Sequence, residues 1–299
     1  MATVSLRTVG LVKRFGKVTA LDGIDLEVSE GEVFGYIGPN GAGKTTTIRV
    51  LLGILKATEG SAEVFGMDAW KQAVEIHGRI AYVPGDVSLW PNLTGGEVID
   101  LLVSLRKGGK QDLAYKNRRE TLLIRFDLDP SKKCRTYSKG NRQKVALVAA
   151  LASDADLYIL DEPTSGLDPL MELAFQESIL ELKALGKGIF LSSHIMSEVE
   201  KLCDRIAIIR SGHLVETGTL AELRHLTRVP MQISTEQPII GLEQIPGVHD
   251  ISQGPDSLSF QVDSGEVARV ISFIAPFGVI KMESAPPTLE ELFKRVYDI

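Results

Sequence analysis

Residues 33–52 read VFGYIGPNGAGKTTTIRVLL, and the fold follows from this stretch. Val33–Ile37 has the length and apolar character of a strand buried on both faces. GPNGAGKT at 38–45 fits the spacing G-x-x-x-x-G-K-[ST], and a helical run, Thr46–Leu52, continues from it. A glycine-rich turn between strand and helix lets backbone amides converge on a phosphate chain, with the positive end of the helix behind them. Gly38, Pro39, Asn40, Gly41, Ala42, Gly43 and Thr46 make up this cradle. Lys44 is expected to hold the β- and γ-phosphates, and Thr45 a Mg²⁺ ion. A glycine turn with no ligand is the bland alternative, and the strand before it and the helix after it weigh against that.

Residues 157–162, LYILDE, form a second apolar strand that ends in two carboxylates. Asp161 suits the aspartate that reaches the magnesium of a phosphate-loop site. Glu162 is then free to accept a proton from an attacking water. Two solvated acids at a strand end would be the preferred reading if no phosphate loop accompanied them.

Around these motifs, residues 1 to about 220 alternate short apolar runs with amphipathic ones, the pattern of an α/β domain with parallel strands. Ile189–Ser192 is a third buried strand, and Ile206–Arg210, Ser211-Gly212 and His213–Glu216 make a hairpin. Thr94/Glu97, Thr219/Glu222 and Thr288/Glu291 have capping-box spacing, each ahead of an apolar-periodic run. Pro230 marks the expected end of the first domain. Beyond it, Met231–Ser234, Ser257–Val262 and Val279–Glu283 suit strands and Val267–Ile274 a helix, giving a small α+β appendage.

Composition narrows the function. Hydrophobic residues are 44% and charged residues 24% of the 299, ordinary for a folded globular chain. Cys134 and Cys203 lie far apart without a C-x-x-C pair, so reduced thiols are expected, not a disulfide or zinc framework. Arg7, Lys13, Arg14 and Lys17 break any early apolar run, and no stretch supplies the roughly 18 apolar residues of a membrane span. Residues 229–299 carry ten acidic and four basic side chains, which accounts for the whole net charge of −6. The first 228 residues balance, with no overall basic surplus, so nucleic acid is not expected as a partner.

Taken in order, GPNGAGKT, YSKGN at 137–141, LDEP at 160–163, SGLD at 165–168 and His194 after a strand resemble the nucleotide-binding domain of ATP-binding cassette (ABC) transporters. The resemblance covers residues 1 to about 225. It implies a P-loop NTPase of the ABC type: a RecA-like α/β core, an antiparallel β subdomain and an α-helical subdomain near residues 86–150. The domains would then be 1–228 and 229–299.

The resemblance also implies ATP and Mg²⁺ as ligands and assigns roles. Phe15 resembles the aromatic that stacks on adenine; the bland alternative is a core residue of an edge strand. Ser138 and Gly140 resemble the signature that caps the γ-phosphate held by a second copy. Asp168 resembles the aspartate linking the two sites, and His194 the histidine that contacts the γ-phosphate. Lys44, Glu162 and His194 would be catalytic, with Thr45 and Asp161 on the metal. The implied partners are a second nucleotide-binding domain, expected as a homodimer, and an integral membrane permease. The chain would then work in the cytoplasm, at the inner face of the membrane.

Two departures stand out. Lys139 and Asn141 replace a glycine and the glutamine of the usual LSGGQ signature. After the strand Ile80–Val83, Gly85 occupies the place of a glutamine that the family offers to magnesium and permease, with Asp86 next. The SKGNRQK signature, the PGD loop and the terminal PPTLEELFKRVY together resemble cassettes of multidrug, antibiotic or polysaccharide exporters. A soluble cassette acting on nucleic acid or ribosomes is the rival reading. It is disfavoured because fewer than a hundred residues, with no heptad run or cysteine pair, separate Lys44 from Ser138.

Overall fold

The computed structural model describes residues 3–106, 111–224, 228–254 and 257–284. Two compact units divide between Thr217 and Gly218, upstream of the boundary expected at Pro230.

The first unit opens with two long strands, β1 (Val4–Phe15) and β2 (Val18–Ser29), followed by β3 (Val33–Ile37) and helix α1 (Lys44–Leu51). β4 (Glu59–Val64), β5 (Met67–Asp68), α2 (Ala73–His77) and β6 (Ile80–Val83) come next. Three helices follow: α3 (Gly95–Ser104), α4 (Leu113–Arg125) and α5 (Lys139–Ala152). The rest alternates: β7 (Leu157–Asp161), α6 (Pro169–Ala184), β8 (Gly188–Ser193), α7 (Met196–Leu202), then β9 (Arg205–Arg210) and β10 (His213–Thr219), whose last two residues fall past the division.

These strands form two sheets. One is antiparallel, in the order β2-β1-β4-β5, and the other has six strands in the order β10-β9-β3-β8-β7-β6. Within the second, β6, β7, β8, β3 and β9 run parallel. All residues of β3, β7 and β8 are buried, which is why these strands read as unbroken apolar runs with no alternation. Phe34 and Phe190 stack across β3 and β8 with centroids 5.9 Å apart, and Tyr36 tilts against the same Phe190 ring. Desolvation raises the Tyr36 hydroxyl far above its ordinary value, and it pairs with Thr47 Oγ1 at 3.1 Å.

Local signals are realised as read. Thr94 caps α3 by accepting from the Glu97 amide, and Glu97 Oε2 accepts from the Thr94 amide at 2.6 Å. At the β9–β10 turn, Ser211 and Gly212 both take positive φ, the backbone that a two-residue hairpin turn requires.

The second unit holds α8 (Leu220–Arg224), β11 (Arg228–Thr235), β12 (Val248–Gln253), β13 (Leu258–Asp263), α9 (Val267–Ile274) and β14 (Val279–Ser284). The Thr219/Glu222 box closes at the start of α8, with both reciprocal bonds formed. The strands make a sheet in the order β12-β13-β11-β14, and α9 contributes Val270 and Ile274 to a core with Met231, Ile233, Phe260 and Val262. Pro230 corrects the expected break, because it lies within β11 opposite Gln261. β12 had no sequence signal, since its burial pattern lacks the alternation that marks a strand. Thr288/Glu291 and the PPTLEELFKRVY segment lie outside the described residues.

Candidate active site

Strand register gathers the motifs. In the parallel ladder Ile37 pairs with Ser193, and Asp161 with Ser192. The phosphate loop, the LDE segment and the loop of His194 therefore all leave one edge of the sheet, at the carboxyl ends of adjacent strands, where open α/β sheets bind ligands.

Sterics shape the phosphate loop. A Cβ on Gly38 would come within 2.4 Å of the Ile209 carbonyl oxygen, and Gly43 has φ 117°, where a side chain is both strained and obstructed by Leu21. The opening turn of α1 points amides into this loop that the helix cannot bond itself. Lys44 is 5% exposed and folds back over the loop, its ammonium donating to the carbonyls of Gly38 (2.6 Å) and Pro39 (3.3 Å). Its third partner is Glu162 Oε1 at 3.2 Å. Two carbonyls and one carboxylate thus surround the buried ammonium.

Glu162 also reaches His194, with Nδ1 3.0 Å from its Oε2. Glu162 therefore stands between the Lys44 ammonium and the His194 ring, with one carboxylate oxygen toward each. Glu162 is the first residue past β7 and takes φ 47°, a left-handed conformation costing on the order of 1 kcal/mol or more for a non-glycine residue. Ser192 holds it there: its carbonyl accepts from the Glu162 amide at 3.0 Å and its hydroxyl faces the same amide at 3.2 Å. Ser192 Oγ also donates to Asp161 Oδ1 at 2.5 Å, while Thr45 Oγ1 donates to Asp161 Oδ2 at 2.9 Å. Tyr82 beside it has its hydroxyl pushed up to about 12, by burial first and by the Asp161 charge second.

The other expected residues serve a second cluster. Ser138 caps α5, accepting from the Asn141 amide at 3.2 Å. A Cβ on Gly140 would stand 2.5 Å from the Gly166 carbonyl, so this glycine admits the chain's own SGLD turn. Lys139, one of the departures, donates to Ser165 Oγ at 3.0 Å, and Gln143 donates to the Pro163 carbonyl at 2.8 Å. Asp168 caps α6, accepting from the amides of Leu170 and Met171. Phe15 ends β1 at 47% exposure, with the Lys13 ammonium 4.9 Å from its ring centroid. Since β1 lies between β2 and β4, Phe15 is neither a core residue nor on an edge strand.

Thr45 and Asp161 present hard oxygen donors side by side, the donor type that magnesium takes. Among the described residues no three His, Cys, Asp or Glu side chains cluster with metal-holding geometry, so phosphate oxygens and water would complete its shell. Gly85 lies against this point, since a Cβ there would be 3.3 Å from the Asp161 carbonyl and 3.7 Å from its Oδ2. Asp86 is exposed. The sequence reading missed Ser192 and Gln143. The only signal for Ser192 was a hydroxyl at the end of an otherwise apolar strand.

Comparison with known proteins gives the family. A family model described as ABC transporter matches residues 21–165. Over 95% of each chain, the protein is 35% identical to the uncharacterized ABC transporter ATP-binding protein YhaQ of Bacillus subtilis. It is 32% identical to the bacitracin transport ATP-binding protein BcrA of Bacillus licheniformis, over 99% of this chain and 98% of that one. A solved ATP-binding subunit of an ABC transporter superposes with a TM-score of 0.70 at 33% identity, covering 74% of this chain and 92% of the other. The chain belongs to the ABC transporter family and is one of its ATP-binding, ATP-hydrolysing subunits.

Proposed function

We propose that this ATPase drives export of a drug- or antibiotic-like cargo through a separate integral membrane permease, closing head to tail with a second copy at the inner face of the membrane. The observation that carries the catalytic part is the continuous link Lys44–Glu162–His194, set beside Thr45–Asp161–Ser192. An incoming triphosphate offers Lys44 stronger acceptors than Glu162, which frees Oε1 to take a proton from water. With a hydrogen on Nε2, His194 would donate to the γ-phosphate, whose oxygens only accept. Bound between Thr45 and Asp161, Mg²⁺ would screen the phosphate charge. Ser138 and Gly140 would cap the nucleotide of the partner copy. Only ATP that binds the closed pair better than the open one can drive closure, and a full shift takes about 5.5 kcal/mol of such preference.

For the permease, an apolar cavity of about 450 Å³ supports docking along Pro84–Ser104. Tyr82, Val87, Trp90, Leu102 and Leu105 line it, with Trp90 and Leu105 exposed. Export is favoured by the near full-length match to a bacitracin transport subunit, which includes the second unit. No described helix is long and apolar enough to cross a membrane, so the path for cargo falls to another chain.

The test is Glu162→Gln. It should bind ATP normally, lose turnover by about 10²–10⁴-fold and elute as a dimer only with Mg-ATP. A monomer with normal turnover overturns the assignment. Stimulation of turnover by nucleic acid or ribosomes, and not by a co-expressed permease, would support the rival reading.

A further inference from the structure

Glu198 is a buried carboxyl that this mechanism leaves unused. It lies in α7, shortly after His194, and is 5% exposed. Its Oε2 accepts from Ser193 Oγ at 2.9 Å and from Thr164 Oγ1 at 3.3 Å, while its Oε1 is buried with no partner. Both hydroxyls sit at critical places. Thr164 belongs to the loop that begins with Glu162, and Ser193 ends β8 directly before His194. Ser193 Oγ also accepts from the Ile195 amide at 2.9 Å, which fixes the backbone on the far side of His194. One carboxyl thus fastens together the loop of the candidate base and the loop of the candidate phosphate contact.

We propose that Glu198 is a positioning residue for ATP hydrolysis, holding Glu162 and His194 in mutual register through Thr164 and Ser193 without touching nucleotide. This rests on the reading of Glu162 and His194 given above. The protonated carboxyl suits the role. Burial pushes Glu198 up to about 7, with Glu172 of α6 and Glu162 adding in the same direction and the Ser193 and Thr164 hydroxyls opposing. The Cys203 thiol at the end of α7 also faces it, itself raised by burial and by the Glu198 charge. An ionised Glu198 would set a second negative charge near Glu162 and strand Oε1 without a donor. Glutamine can keep both hydroxyl bonds through its carbonyl oxygen and never ionises.

Turnover of Mg-ATP and nucleotide affinity should be measured on the purified full chain and on Glu198→Gln and Glu198→Ala, from pH 6 to 8.5. The expected result is that Glu198→Ala loses about tenfold or more in kcat with ATP affinity nearly intact, while Glu198→Gln retains it near pH 6.5. The ratio of wild-type to Glu198→Gln turnover should then fall as pH rises through about 7. If Glu198→Ala does not fold, Ser193→Ala carries the same test, because it removes the shared hydroxyl. Full turnover in the alanine variants, or Glu198→Gln failing as badly as Glu198→Ala, overturns the proposal. If the wild-type chain turns over ATP but Glu162→Gln and His194→Ala do so equally well, the underlying assignment has failed instead.

Discussion

Stability should depend on pH through Glu198, and Glu198→Gln should remove that dependence. The carboxyl titrates near 4.5 when exposed and at about 7 in the fold. Below pH 4.5 both states hold the proton, and Glu198 costs nothing. Between pH 4.5 and 7 the unfolded chain releases it while the folded chain keeps it, so stability falls by about 1.4 kcal/mol per pH unit. Above 7 the full loss, about 3 kcal/mol, has been incurred. The sign is opposite to that of a salt-bridged carboxylate, because burial, with Glu172 and Glu162 nearby, disfavours the charge. Other titrating groups are common to both proteins, so the informative quantity is the difference between the variant and wild type. Urea unfolding at pH 5 and pH 8 should show Glu198→Gln gaining about 2–3 kcal/mol on wild type across that interval. A difference that does not change with pH would refute the reasoning.

Three further outcomes are expected. Lys44→Ala should abolish ATP binding and also leave Glu162 without its cation, so a lower melting temperature without nucleotide is expected in calorimetry. Gly140→Ala should cost about 1–3 kcal/mol in denaturant titration, because its Cβ would meet the Gly166 carbonyl at 2.5 Å. Phe15→Ala should weaken ATP by about 1–3 kcal/mol in equilibrium binding, with unfolding unchanged because the ring is half exposed.

Much of this molecule was legible before folding because the decisive signals are local. The glycines of residues 38–43, the unbroken apolar runs of β3, β7 and β8, the two carboxylates closing LYILDE and the reciprocal Thr94/Glu97 cap each act within a few residues. Short-range geometry therefore suffices to read them. α9 was equally readable from its period. β12 escaped because its residues are mostly exposed and polar, and Pro230 misled because it stands inside β11, opposite Gln261, and not at a break.

The sequence by itself determined that a phosphate loop, a strand ending in Asp161–Glu162 and a histidine after a strand exist in one chain. Tertiary structure alone decided that they meet. Parallel pairing of β7, β8 and β3 sets Asp161 beside Ser192 and Ile37 beside Ser193, and from that register come the Thr45–Asp161 bond, the Lys44–Glu162–His194 link and the buried clip at Glu198. Thr45 lies 116 residues from Asp161, and His194 and Glu162 stand on separate strand ends, so no local pattern could announce these contacts; they are specified only when the sheet closes.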